Sequence, residues 1–219
     1  MLAMSFELVT KIGLLLLFVT IIPVVFSAGT VIACLWTGVR FKQVAIFYGK
    51  PVFTIKTRFA PITVGYIPMG GFVQLDMDAF PAKPLLTRCL VTLAGPFALF
   101  LSSIPCLGLL HAGHSFVATF PQFMEFLLSP TSRGNQFITI FFDKLLSSPV
   151  TAYGIFAAKA TALHFFPFAV MPGGRLLIEF TKKRDESLLA KILNYVSSFT
   201  AIILVVCIVI AAIGFFRKH

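Results

Sequence analysis

The sequence predicts a mainly α-helical integral membrane protein, a single membrane domain over residues 1–219 with about four transmembrane helices and a small membrane-associated β element on the cytoplasmic side. Three observations lead there. Hydrophobic residues make up 58% of the chain and charged residues 12%, against about 25% charged in soluble proteins. Long uncharged apolar stretches recur at the ~20-residue length that crosses a bilayer. Between the first two lie short β-branched and aromatic runs punctuated by Gly and Pro. This composition excludes disorder and argues against a water-soluble globule. It also limits the chemistry, because 8 carboxylates, 4 His and 4 Cys are the whole supply for any acid/base pair or metal site.

The spans fall at 12–36, 89–110, 150–180 and 192–216, the third broken near 167–175. The first is longer than the roughly 7 to 15 apolar residues of a secretory signal, and Glu7 dilutes a positive leader, so it is read as retained. Lys and Arg set the orientation. The loops 37–88 and 181–191 carry 11 cations, from Arg40 to Arg88 and from Lys182 to Lys191, whereas the opposite side has 5: Lys11, Arg133, Lys144, Arg217 and Lys218. The termini are therefore expected on the non-cytoplasmic side, in what would be a bacterial inner (cytoplasmic) membrane. The net charge of +10 belongs with these loops and with anionic lipid rather than with nucleic acid.

Within the β-rich loop 42–76, runs at 44–48, 52–56, 62–66 and 72–75 are separated by Gly49-Lys50-Pro51, Ala60-Pro61 and Gly70-Gly71, the pattern of a small sheet or paired hairpins. Backbone entering the membrane boundary there must pair with itself or be covered. The loop 111–149 holds Phe-rich patches at 116–128 and 137–146, read as interfacial amphipathic helices. Cys34, Cys106 and Cys207 sit inside apolar runs and Cys89 at the mouth of one, without C-x-x-C spacing, which suits small apolar fillers. Gly154, Ala158 and Ala162, and likewise Gly29 and Ala33, recur at four-residue intervals that let membrane helices approach closely.

Four stretches in order resemble the site-2 protease family of intramembrane zinc metalloproteases. Gly38-Val39-Arg40 with Phe47-Tyr48-Gly49-Lys50 is similar to the G-V-x and F-G-K elements after the family's zinc helix. The stretch from Tyr66 through Ile67, Pro68, Met69, Gly70, Gly71 and Phe72 to Val73 is similar to its I-P-L-G-G-Y-V. Ala94-Gly95-Pro96 matches its A-G-P, and the segment 166–177 lines up with L-P-x-P-x-L-D-G-G-H-L-L. The resemblance runs from about residue 25 to the C terminus and implies a site-2 protease-like core.

The resemblance also shows what has changed. The family's H-E-x-x-H falls on 26–30, with Phe26 and Thr30 at the histidines and Ser27 at the glutamate; the aspartate of L-D-G falls on Pro172. The asparagine after A-G-P falls on Leu99, that of N-x-x-P-x-P on His164 and its second proline on Ala169. Catalytic zinc takes three imidazole, thiolate or carboxylate ligands and a water. Phe26 and Pro172 have no lone pair to give, Thr30 is a poor neutral ligand, and Ser27 cannot replace the general base.

Other polar residues have modest readings. His111 and His114 make H-x-x-H beyond the second span and read as an interfacial turn; His164 reads as a hydrogen-bonded residue packing the break. Asp76 and Asp78 share a face if extended and are either a solvated loop end or a weak cation site. Lys159 is an intramembrane charge, functional by default unless it snorkels, and Arg175 with Glu179 is spaced for a helical pair.

The expected function is a non-catalytic, site-2 protease-like pseudoenzyme: no catalytic residues, no metal and no zinc cofactor. Its client-binding residues would be Val64, Tyr66, Ile67, Pro68, Met69, Gly70, Gly71 and Phe72, since the family's sheet is thought to hold clients by strand addition, which needs free backbone edges and not a metal. Partners would be membrane lipid and a membrane-protein client or complex. One alternative is an active zinc protease with relocated ligands, His164 with Asp76 or Asp78. Another is a transport or permease subunit using Lys159 and Arg175, against which stands the absence of repeated halves.

Overall fold

The computed structural model describes residues 2–168, 171–181 and 186–216. Ala169, Lys182, Lys183, Arg184, Arg217 and Lys218, which entered the expectations above, lie outside the described residues. The chain forms two compact units, Met1–Ser103 and Ile104–His219.

The first unit opens with α1 (Leu2–Thr37), a 36-residue helix with Pro23 inside it. Its end is encoded locally. Gly38 takes φ 64°, and the Val39 N–H reaches back to the Cys34 carbonyl at 2.9 Å, the six-residue closure of a Schellman motif. Val39 and Cys34 then join Ala33, Phe80 and Val91 in a buried apolar cluster, with Phe41, Leu75 and Ala94 packed against it. This cluster ties α1 to the start of the sheet and to α2 (Leu85–Leu107).

β1 (Phe41–Ile55) and β2 (Ile62–Leu75) make an antiparallel hairpin. Phe41 pairs with Leu75, Val44 with Val73 and Ile46 with Gly71, and further out Pro51 pairs with Gly65, Phe53 with Val64 and Ile55 with Ile62. Val44, Ala45 and Ile46 pair a second time, with Ile62, Thr63 and Val64, and here the numbers rise together. The hairpin is therefore folded back on itself, with lateral order 71–75, 41–46, 62–64, 51–55. All four short runs expected from sequence are present, joined by a parallel contact that the Val44 N–H fastens to the Pro61 carbonyl at 3.0 Å.

The fold-back is made at Phe47 (φ 69°), Gly49 (φ 94°) and Gly70 (φ 67°). Two tyrosines cover its glycines. A Cβ on Gly49 would overlap the Tyr66 ring and one on Gly70 the Tyr48 ring, so both positions require glycine for space as well as for backbone angle.

The sheet lies along α1. It starts beside residues 33–39 and reaches Pro23, whose Cβ is 3.4 Å from the position a Gly71 Cβ would take. From Thr37 back to Pro23 is about 21 Å at ~1.5 Å per residue, comparable to the roughly 17 Å of strand from 41 to 46. Pro23 is inside the apolar stretch Val9–Thr37, so the sheet runs alongside a span rather than beyond its end. Folding the hairpin back satisfies inner strands on both flanks, which backbone at that depth requires.

In the second unit, Gly108 (φ 76°) separates α2 from α3 (Leu109–Leu128), so the second apolar run stops at Leu107 rather than at 110. A π-helical turn at Pro130–Gly134 leads to α4 (Asn135–Ser147), α5 (Pro149–His164), α6 (Pro172–Thr181) and α7 (Glu186–Phe216). The loop 111–149 is thus largely helical. Phe116, Phe120 and Phe123 of α3 pack on the turn after α5, with ring centroids 5.7 Å apart for Phe116 and Phe165, 5.2 Å for Phe120 and Phe166, and 4.6 Å for Phe123 and Phe166. The small stripe of α5 is internal, for Gly154, Ala158 and Ala162 are all buried.

Among the described residues, three helices are long and apolar enough to cross a membrane: Val9–Thr37, Leu85–Leu107 and Lys191–Ala211. The stretch 150–180 instead forms α5, of 16 residues, and α6, of 10, each shorter than the ~20 needed alone.

The helices α1 and α2 meet at Gly29, where a Cβ would overlap that of Ala98 and lie 2.6 Å from the Ala94 carbonyl oxygen. Backbone cannot yield cheaply, so Gly29→Ala is expected to cost about 1–3 kcal/mol. Thermal unfolding in detergent tests this against Gly13→Ala, where nothing lies within 4 Å and no loss of stability is expected.

Candidate functional site

Phe26, Ser27 and Thr30 occupy one turn of α1, facing the A-G-P turn of α2. The Phe26 ring rests on Gly95; a Cβ there would come within 2.7–2.8 Å of three ring carbons. Phe26 and Gly95 therefore specify each other, since only the absence of a side chain on α2 makes room for the ring. Leu99, one turn on, is fully buried. Ser27 is 2% exposed, and among the described residues its Oγ has no hydrogen-bond partner. Thr30 donates to the Phe26 carbonyl at 3.2 Å, so its hydroxyl serves the helix.

Pro172 belongs to the second unit and opens α6. A missing N–H is harmless in a first turn, and the carbonyl one residue earlier, on Met171, accepts from the Arg175 N–H at 3.0 Å. Gly173 must be glycine for a different reason, because a Cβ would lie 2.5 Å from the Phe165 carbonyl oxygen. His164, ending α5, has its Nδ1 2.6 Å from the Ala160 carbonyl, as expected for a residue bonded at the break. His111 and His114 are exposed on α3.

Lys159 does not reach outward. Its ammonium donates to the Gln122 Oε1 of α3, joining α5 to α3. Arg175 is exposed, one turn from Glu179 on α6.

Asp76 and Asp78 converge on Lys42, whose Nζ lies 3.1 Å from a carboxylate oxygen of each. The carboxylates beside it, Asp76 first and then Asp78, raise the Lys42 pKa, and the Lys42 ammonium lowers that of Asp76. The three residues cross-link the first residues of β1 to the segment after β2. Among the described residues no group of three or more His, Cys, Asp or Glu comes together.

Of the client-binding residues expected from sequence, Tyr66 and Phe72 are 62% and 41% exposed, Val64 and Gly71 are half-buried and Gly70 is exposed. Ile67 pairs with Tyr48, and the backbones of Pro68 and Met69 continue β2. A shallow pocket of about 110 Å³ opens on this sheet, lined by Gln43, Phe47, Tyr48, Thr63, Gly65 and Phe72 among others. Only Phe72 was expected there. The rest come from β1 and, in β2, from Thr63 and Gly65, the latter with a Cβ position that would overlap the Tyr48 carbonyl; the Gly and aromatic run at 47–49 is the available signal. Gln43 Nε2 donates to Thr63 Oγ1 at 2.7 Å, so the pocket floor is crossed by a fixed polar bridge.

A family model described as Peptidase family M50 matches residues 14–208. The chain belongs to that family, the site-2 protease family, and is membrane-embedded with a small sheet among its apolar helices. No curated protein matches the chain.

The Lys42 cluster has a definite pH signature. A carboxylate with a lowered folded pKa contributes stability above its unfolded value, about 3.9, and loses it as pH falls through the folded value. The Lys42 contribution is complete below about 10.4 and is lost as pH rises through its raised folded value. Unfolding midpoints measured across pH should fall at both extremes, and Lys42→Met should flatten both dependences.

Proposed function

We propose that this M50 family member holds an extended membrane segment without cleaving it. The observation that carries the reading is the Phe26 ring seated on Gly95, at the position where the resemblance expects the first zinc histidine. The side chains at the four expected positions are a phenyl ring, two neutral hydroxyls and a pyrrolidine. They do not fit zinc, which requires imidazole, thiolate or carboxylate donors, and they include no general base to activate water.

The sheet retains what binding needs. Its outer stretch 71–75 pairs on one flank only among the described residues, and strand addition uses unpaired backbone groups with pockets for alternate side chains. Of the client-binding residues, Gly71 and Phe72 lie on that outer stretch, Tyr66, Ile67 and Gly70 with the backbone of Pro68 and Met69 lead into it, and Val64, whose backbone is paired on both flanks, contributes its side chain. The 110 Å³ pocket accepts one side chain of the added strand. A sheet that lies along a span presents this edge to a client that has itself unwound within the bilayer.

In this reading α5 and α6 together make a fourth, interrupted crossing. The cation-rich loops 37–88 and 181–191 face the cytoplasm, the termini face away, and the membrane is a bacterial inner membrane. The partners are lipid and a membrane-protein client or complex, not nucleic acid.

Metal analysis of the purified chain tests the reading. Zinc far below one per chain is expected. About one zinc per chain, lost together with peptidase activity on His164→Ala, would overturn it in favour of relocated ligands. Restoring Phe26→His, Ser27→Glu, Thr30→His and Pro172→Asp together is expected to recover zinc uptake. Folded protein that takes up no metal would contradict the assignment of these four positions.

A further inference from the structure

Residues 40–75 contain five cations, Arg40, Lys42, Lys50, Lys56 and Arg58, and no Asp or Glu. Lys42 is held by Asp76 and Asp78. Lys56 and Arg58 are different. Both are exposed in the turn closing the hairpin, and among the described residues neither has an ion-pair partner. The Arg58 guanidinium lies 4.8 Å above the Phe59 ring.

This turn is built rather than slack. Thr57 Oγ1 donates to the Ala60 carbonyl at 2.7 Å and accepts the N–H groups of Phe59 and Ala60, each at 3.3 Å. Its apolar neighbours face outward, with Val52 66%, Phe53 52%, Ile55 52% and Phe59 54% exposed.

The fold-back decides where this tip lies. Ile62 sits beside Val44 and the Pro61 carbonyl bonds the Val44 N–H, so the turn 56–61 returns toward the start of β1 and away from Pro23. The start of β1 is five residues from the last turn of α1, where Trp36 is 84% exposed. Exposed tryptophan belongs at the headgroup level of a bilayer. The tip therefore brings two uncompensated cations to headgroup level, while Val52, Phe53 and Ile55 extend from it along the apolar span.

We propose that Lys56 and Arg58 bind the phosphates of anionic phospholipids in the bilayer the chain crosses, with Phe59, Ile55, Phe53 and Val52 resting on the acyl chains. The charge is complementary, the apolar side chains are each more than half exposed, and the element is tethered at the membrane by α1 and α2. This site is separate from client binding and stands without it.

The test uses the full chain with Trp36→Phe and Phe59→Trp, so that the tip carries the sole tryptophan. It is reconstituted in phosphatidylcholine nanodiscs with rising fractions of acyl-brominated phosphatidylglycerol. Quenching is expected to be half complete at a low fraction. Lys56→Gln with Arg58→Gln should shift that point about 30-fold, two cations at the usual strength of a basic residue near an anionic surface, and Lys56→Arg with Arg58→Lys should restore it. Unchanged thermal unfolding of the Gln variant separates this from misfolding. Identical titrations for parent and Gln variant would overturn the proposal, as would equal quenching by brominated phosphatidylcholine. Displacement of the lipid by poly-glutamate at equal charge would assign the tip to an acidic protein segment instead and overturn it as well.

Discussion

The close approach of α1 and α2 at Gly29 is the constraint on which the first unit depends. With no side chain at Gly29 and only alanines at 94 and 98, the two backbones come near enough for Phe26 to lie flat on Gly95 and for Leu99 to be fully buried. Membrane helices gain little from apolar burial alone, because lipid is as apolar as leucine, and rely on such packing. The same helix pair closes the cluster of Cys34, Val39, Phe80 and Val91, which fixes the entry of the chain into the sheet. The turn holding Phe26, the sheet along α1 and the lipid-facing tip all inherit their places from that crossing.

A zinc enzyme needs donors and a base at this turn. Here the space is taken by carbon, and the two hydroxyls that remain are neutral. The Ser27 Oγ is left buried without a partner among the described residues, an arrangement that ordinarily costs about 1–3 kcal/mol. Strand addition, as proposed for the sheet, draws on backbone groups and needs no metal ligand.

Much of this was legible in the sequence where the signal is local. The four short β runs were marked by Gly49, Pro51, Pro61 and Gly70, and the end of α1 by Gly38. The break between α5 and α6 was marked by Pro167, Pro172, Gly173 and Gly174. What was not legible depends on pairing between distant residues. No local pattern announces that Val44 pairs with both Val73 and Ile62, so the fold-back, and with it the position of Lys56 and Arg58, emerges only in three dimensions. The Phe-rich patch 116–128 reads as an amphipathic helix and is one in α3, but the partners of its Phe residues lie on the turn 165–168, some forty residues away, so its packing is not legible. Phe26 is recognisable in the sequence as an unsuitable ligand, but its seat on Gly95 depends on the approach of α2, which no local pattern encodes. The sequence alone allows Lys159 either a function or snorkelling; its bond to Gln122 joins two helices that no sequence pattern places together.

The central claim, binding without cutting, is tested most directly by incubating the zinc-supplemented, reconstituted chain with a helix-destabilised transmembrane peptide. The peptide carries a photo-crosslinker, and mass spectrometry follows both peptides and crosslinks. Crosslinks concentrated on residues 64–72, with the remaining peptide at its intact mass, are the predicted result. Peptide fragments that disappear on chelating zinc, or crosslinks that avoid the sheet altogether, would contradict it.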